Sequence, residues 1–270
     1  MIELSPEEIK KIQISLLRRF STFCKRNRLE WFVWAGTLLG TIRHGGFIPW
    51  DDDIDIAMPR SDYNKLIDLC RNGNSIIGAD FLCLELDNSY VFPFGKLTEK
   101  NTLLIEKNSK KTKYGIFIDV FPIDKIDGNH DTQQKAIRKA KFWFIMLDLN
   151  LQRGIIRIDS SKRMIMQLLI RPLSHLFSCK FLVQKVHKNA IHFANNAGIN
   201  NAILTHSVLT KTVFVDDDLF PSIIMKFESV DVLVPRNYKK ILTLQYGDFM
   251  QMPPESERKA RHKMTAFLIE

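Results

Sequence analysis

Asp51-Asp52-Asp53-Ile54-Asp55 puts four carboxylates into five positions. In extended chain, alternate side chains share a face. Asp51, Asp53 and Asp55 then line one side, and Asp52 points the other way. Like charges on one face repel each other, and a bound cation relieves that repulsion. Carboxylate oxygens are hard ligands that suit Mg²⁺ or Mn²⁺, ions that serve phosphate chemistry, often in pairs. A solvated acidic loop is the plain alternative. Just upstream, Trp31 to Trp34 reads as a buried strand, Gly36-Thr37 punctuates it, and Leu38-Leu39-Gly40-Thr41-Ile42 resumes at helical spacing. Strand, turn and helix N-terminus together form a phosphate-binding arrangement of N–H groups and a hydroxyl. A lone Gly-Thr is usually an ordinary turn. Followed by Asp-x-Asp on a strand, it becomes a cradle that faces metal ligands.

Apolar strand, Gly-Thr, spacer and Asp-x-Asp together resemble the nucleotidyltransferase fold. More closely, the stretch from Trp34 to Tyr63 resembles the signature of the LicD family, whose core fukutin and fukutin-related protein share. Phe94-Gly95-Lys96, the run Ile118 to Asp124, and Tyr246 to Met250 with Pro253-Pro254 fit the same family. The resemblance implies an α+β (mixed α/β) fold, with a nucleotidyltransferase-like core sheet flanked by helices and a helical insertion. It implies transfer of phosphocholine from CDP-choline to a sugar hydroxyl of a bacterial surface glycan (lipopolysaccharide, teichoic acid or capsule), with CMP leaving. The partners it implies are a nucleotide-activated donor and a glycan or glycolipid acceptor, with Mg²⁺ or Mn²⁺, two ions, as cofactor.

Asp53 and Asp55 match the family's Asp-x-Asp pair, and Asp51 extends that face. A further carboxylate is expected from a neighbouring strand. Asp119, within the apolar run Gly115 to Ile123, is the candidate, as metal ligand or general base, with a turn-capping role as the alternative. Asp124, after Pro122, reads as structural and is held in reserve. Gly36 and Thr37 are candidates for holding phosphate oxygens. Arg43, His44 and Lys96 are candidate phosphate contacts, each weighed against a solvated or structural role. Trp50 either stacks on a base or choline headgroup or packs in the core. His187, His192 and His206 read as structural or exposed. Tyr246-Gly247-Asp248 either closes over the site or forms a structural loop. In the terminal segment, Lys263 stands beside His262, where the family pattern has a second histidine. Competing readings are transfer of ribitol or glycerol phosphate, an NTP-dependent nucleotidyltransferase, and a non-catalytic binder of anions. The last has no use for clustered carboxylates.

The chain has 270 residues, is 45% apolar and carries a net charge of +9 with a pI near 9.3. That permits an anionic membrane face or an acidic small substrate. No nucleic-acid-binding pattern is present, so nucleic acid is not expected as a partner. Much of the basic excess falls in Lys135 to Arg171 and in Arg258 to Lys263. Cys24, Cys70, Cys83 and Cys179 lie far apart, as expected for thiols of a reducing cytoplasm rather than a disulfide framework. Met1 to Glu8 does not read as a signal peptide, and no apolar run has the length of a membrane span. A cytoplasmic protein follows, with peripheral contact at the inner membrane face as an added reading.

Ser5-Pro6-Glu7-Glu8 predicts a helix start that runs to about Lys25. Beyond the acidic strand, which continues through Met58, Arg60-Ser61-Asp62 opens a helix to about Cys70. Short strands are expected at Phe81–Glu85, Val91–Leu97, Thr102–Glu106 and Gly115–Val120, with Asn108 to Lys113 as a basic hairpin loop. Helices follow at Gln133–Leu151, Ser161–Phe177 and Lys180–Asn196. The second is basic and amphipathic, which suits a core helix with a snorkelling basic rim or a membrane-surface helix. Strands at Lys211–Val215, Ile223–Phe227 and Val230–Val234 and a helix ending at Tyr246-Gly247 complete the chain. The expected division is a catalytic core over 1–130, a helical subdomain over 131–200, and C-terminal elements over 201–270 that complete the core.

Overall fold

The computed structural model describes residues 1–106, 114–152, 161–194 (backbone alone for 161–166), 198–206, 213–258 and 264–269. The chain opens with β1 (Ile2–Leu4), α1 (Pro6–Asn27), β2 (Phe32–Val33), α2 (Ala35–His44), β3 (Asp55–Pro59) and α3 (Arg60–Arg71). Then come β4 (Ala79–Leu82), β5 (Gly95–Glu99), β6 (Thr102–Glu106) and β7 (Phe117–Ile126). Three helices follow, α4 (His130–Leu151), α5 (Ser161–Ser174) and α6 (Cys179–Phe193). The remainder is β8 (Asn200–Ala202), β9 (Phe214–Val215), α7 (Asp216–Leu219), β10 (Ile223–Phe227), β11 (Val230–Val234), α8 (Tyr238–Tyr246) and β12 (Met264–Leu268). This is the mixed helix-and-sheet class expected from the sequence.

A central mixed sheet runs in the order β2-β3-β7-β5-β4, and the second half of β7 also pairs with β8, which in turn pairs with β9. Within it β3 and β7 are parallel, and the other described pairs are antiparallel. α1 buries Leu16, Leu17, Phe20 and Cys24 in the core, and each buried large side chain is worth roughly 1.5–3 kcal/mol. Its start is the expected capping box: the Ser5 N–H donates to Glu8 Oε2 at 2.8 Å, and the Glu8 N–H donates to Ser5 Oγ at 3.3 Å. Among the thiols, Cys24 and Cys83 are buried, and burial pushes both up, Cys83 to about 12.

Several boundaries differ from expectation. The strand expected over Val91–Leu97 begins only at Gly95, because Phe92 and Phe94 pack as a loop of rings rather than alternating across a sheet. The strand expected to end at Val120 continues to Ile126, because β3 and then β8 supply partners beyond Pro122. β1 and β12, for which no strand is expected from the sequence, pair with each other, and β12 pairs on its other side with β6, in a separate three-stranded sheet. The basic loop 108–113, the first two residues of the expected strand at 211–215 and the His262-Lys263 pair lie outside the described residues, and β9 covers the last two residues of that strand.

Candidate active site

β2 delivers the chain to the start of α2 through Trp34, whose N–H donates to the Asp55 carbonyl at 2.9 Å. Ala35, the first helical residue, sits at φ 45°, a left-handed conformation that costs a non-glycine residue energy and is concentrated at functional sites. At Gly36, a Cβ would meet Asp51 Oδ2 at 2.5 Å. The bare backbone there is what lets the Asp51 carboxylate lie against the helix N-terminus. Thr37 is buried, and its hydroxyl accepts the Asp55 N–H at 2.8 Å. The structure therefore places Thr37 as the clasp between α2 and the entry to β3, with its hydroxyl on the chain itself.

β3 begins only at Asp55, so Asp51 to Ile54 follow a loop and not the alternation of a strand. Asp52 therefore does not turn away: one carboxylate oxygen each of Asp51, Asp52 and Asp53 lie within 4.8 Å of one another. α1 secures this loop through Gln13, whose Nε2 donates to the Asp52 carbonyl at 3.0 Å. Parallel register sets Asp55 opposite Asp119 on β7, and antiparallel register sets Asp119 opposite Lys96 on β5. The three residues thus form one row across three strands, on one face of the sheet. Burial first, then Asp53, Asp119 and Asp51, push the Asp55 carboxyl well above the usual carboxylate range, with Lys96 opposing them. Asp51 and Asp53 thus belong to both groups, the loop triplet and the set that acts on Asp55.

Lys96 is 3% exposed. Its Nζ lies 2.5 Å from Asp119 Oδ1 and 3.4 Å from the centroid of the Phe117 ring, with Phe92 and Tyr114 at 5.0 and 5.3 Å. The sequence weighs a phosphate contact against a structural role here; in the structure the ammonium pairs with Asp119. Arg43 Nη1 donates to the carbonyls of Phe249 at 2.9 Å and Gln251 at 3.3 Å, tying α2 to the segment after α8. His44 sits edge-on to Trp50 with ring centres 6.4 Å apart; burial, then Arg43, lower its pKa. Trp50 is half-exposed, with the Arg258 guanidinium 5.7 Å from its ring centre. Asp124 is fully buried and takes a two-pronged ion pair from Arg60 at 2.7 and 3.1 Å. It is a structural carboxylate, as the sequence suggests.

His206, read from the sequence as structural or exposed, packs among aromatic rings next to the site. Its ring lies 4.6 Å from Phe144 of α4 and 5.7 and 6.2 Å from Phe121 and Phe94. Burial pushes it down to about 4, against the pull of Asp53 and with the push of Lys96. It therefore stands beside the carboxylates as a neutral imidazole. Nothing in the surrounding sequence marks it, because strands β7 and β8 and helix α4 must all be in place before it meets the site.

The family model for the LicD/FKTN/FKRP nucleotidyltransferase domain matches residues 28–150, which hold α2, the acidic loop, β3, β5 and β7. Residues 28–150 thus resemble a LicD-family domain. Along its whole length the chain is similar to the lipopolysaccharide cholinephosphotransferase LicD of Haemophilus influenzae, at 26% identity over 280 aligned positions that cover 100% of both chains. An uncharacterized protein of Rickettsia prowazekii is 36% identical over 70 residues, 23% of this chain and 26% of its own.

The donor set of this site suits a hard divalent cation: carboxylate oxygens clustered on the Asp51–Asp53 loop, with Asp55 and Asp119 on the adjoining strands and Lys96 as the buried cation beside them. A Gly36→Ala chain tests the close approach of Asp51. The added methyl displaces the carboxylate, and the expected result is about a hundredfold loss in kcat/KM from misplacement of roughly an ångström, with Mg²⁺ affinity reduced and the melting temperature little changed.

Proposed function

We propose that this LicD-family chain transfers phosphocholine from CDP-choline to a sugar hydroxyl of lipopolysaccharide and releases CMP. The observation that carries the reading is the row of Asp55, Asp119 and Lys96 beside the Asp51–Asp53 loop, in a chain alignable from end to end with a lipopolysaccharide cholinephosphotransferase. Asp51, Asp53 and Asp55 would hold Mg²⁺, with Asp52 able to join them. The metal supplies charge neutralisation at the diphosphate. The α2 N-terminus at Gly36 offers its N–H groups to a phosphate oxygen. Asp119, oriented by Lys96, receives the proton of the attacking hydroxyl. The new bond joins the acceptor oxygen to the phosphocholine phosphorus, and the bond to the CMP oxygen breaks.

The half-exposed ring of Trp50, next in the chain to Asp51, supports choline as the transferred alcohol. Aromatic faces attract quaternary ammonium and offer little to a polyol. CMP release is to be measured with CDP-choline and with CDP-ribitol on purified lipopolysaccharide. Turnover that needs Mg²⁺ and prefers CDP-choline is expected. Equal or greater turnover with CDP-ribitol would replace choline by a polyol, and pyrophosphate release from an NTP would replace the reaction class.

A further inference from the structure

α5 is packed the wrong way round for a helix of a water-facing protein. Its Gln167 and Ser174 are buried, while Leu168, Leu169 and Leu173 face outward. At 3.6 residues per turn these leucines and the following Leu176 share one face. Leu169 is 66% and Leu176 77% exposed. The orientation is enforced from within: Asn150 of α4 donates to the carbonyls of Ser174 at 2.8 Å and Phe177 at 3.1 Å, and Arg171 Nη2 donates to the Gln152 carbonyl at 3.1 Å. Ile170 turns inward to pack against the α4–α6 core. The apolar face continues into Phe177 and Phe181, whose rings stack 5.2 Å apart, and Lys185 borders it at 5.2 Å from Phe181.

Charge identifies what covers this face. Residues 131–194 contain twelve Lys and Arg against three Asp, which equals the whole +9 excess of the chain. A second copy would carry the same net positive charge and be repelled. An anionic bilayer is attracted by the cations and accepts the leucines between its headgroups. Among the described residues no helix is long and apolar enough to cross a membrane, so the contact lies at the surface.

We propose that the α5 face, from Leu168 through Phe181, docks the protein onto an anionic lipid bilayer. α4 joins this face to the site, with Asn150 holding the end of α5 and Phe144 resting on His206.

The test is flotation of the full chain with vesicles of phosphatidylglycerol and phosphatidylethanolamine and with vesicles of phosphatidylcholine alone, at low and high salt. Wild type is expected to float with the anionic vesicles, more weakly at high salt, and to stay behind with the neutral ones. Leu169→Glu/Leu173→Glu/Leu176→Glu is expected to weaken partition by at least about tenfold with an unchanged circular dichroism spectrum and melting temperature. Equal partition onto neutral and anionic vesicles would overturn the proposal, as would no partition at all. So would a triple variant that still floats but changes from dimer to monomer, which would assign the face to a second copy. Because the readout is lipid binding alone, its failure leaves the proposed reaction standing, and failure of the reaction leaves the docking intact.

Discussion

Asp55→Asn is expected to lower kcat by at least about a thousandfold, the equivalent of roughly 4 kcal/mol of charge stabilisation, while making the metal-free protein more stable. Both effects come from the same crowding. Burial and the neighbouring Asp53, Asp119 and Asp51 hold the Asp55 carboxyl well above its ordinary value of 3.8, so the folded chain keeps a proton that the unfolded chain has lost. Stability of the metal-free wild type therefore falls as pH rises from the ordinary carboxylate value through the raised one. Asn removes this slope. Thermal melts in chelator across that window, for wild type and variant, check the sign, and a wild type whose melting temperature rises with pH in that window would contradict it. Asp53→Asn should show the same loss of turnover, and full activity in both variants would take the acidic site out of the chemistry.

Lys96→Met should cost about 3–5 kcal/mol of stability, the usual consequence of removing one partner of a buried ion pair, and should abolish turnover as well. The ammonium is enclosed by Asp119 and the rings of Phe92, Tyr114 and Phe117, and methionine fills that space without the charge. Adding Asp119→Asn to Lys96→Met should recover much of the stability and none of the activity, because a neutral amide no longer needs the cation. Urea unfolding of the single and double variants measures this coupling. A Lys96→Met protein of native stability that merely binds donor less tightly would instead make Lys96 a phosphate contact.

The parts of this fold that were legible in the sequence are those decided by near neighbours. The Ser5 capping box and the hairpin of β10 and β11 stand where turn chemistry and period place them. The Asp-x-Asp run was recognisable because so many like charges before an apolar strand make little sense without a cation. Asp52 was misjudged because alternation was extended into residues that β3 does not include. Lys96 stayed open between a phosphate contact and a structural role, because its partner Asp119 comes from a different strand. His206, and the pairing of β1 with β12, depend on partners far along the chain, and no local pattern carries such information. The α5 leucines were legible as an apolar stripe, but which way the stripe faces is decided by the buried amides and carbonyls at the end of α4.

Asp55 and Asp119 become neighbours only through the parallel pairing of β3 with β7, a geometry that no hairpin can supply. α3, β4, β5 and β6 all intervene in the chain. During translation, the acidic run leaves the ribosome well before its partner strand does. On the mechanism proposed above, the nascent protein is inert toward nucleotide until most of the domain has been made, and an amino-terminal fragment lacking β7 is expected to show no transfer activity.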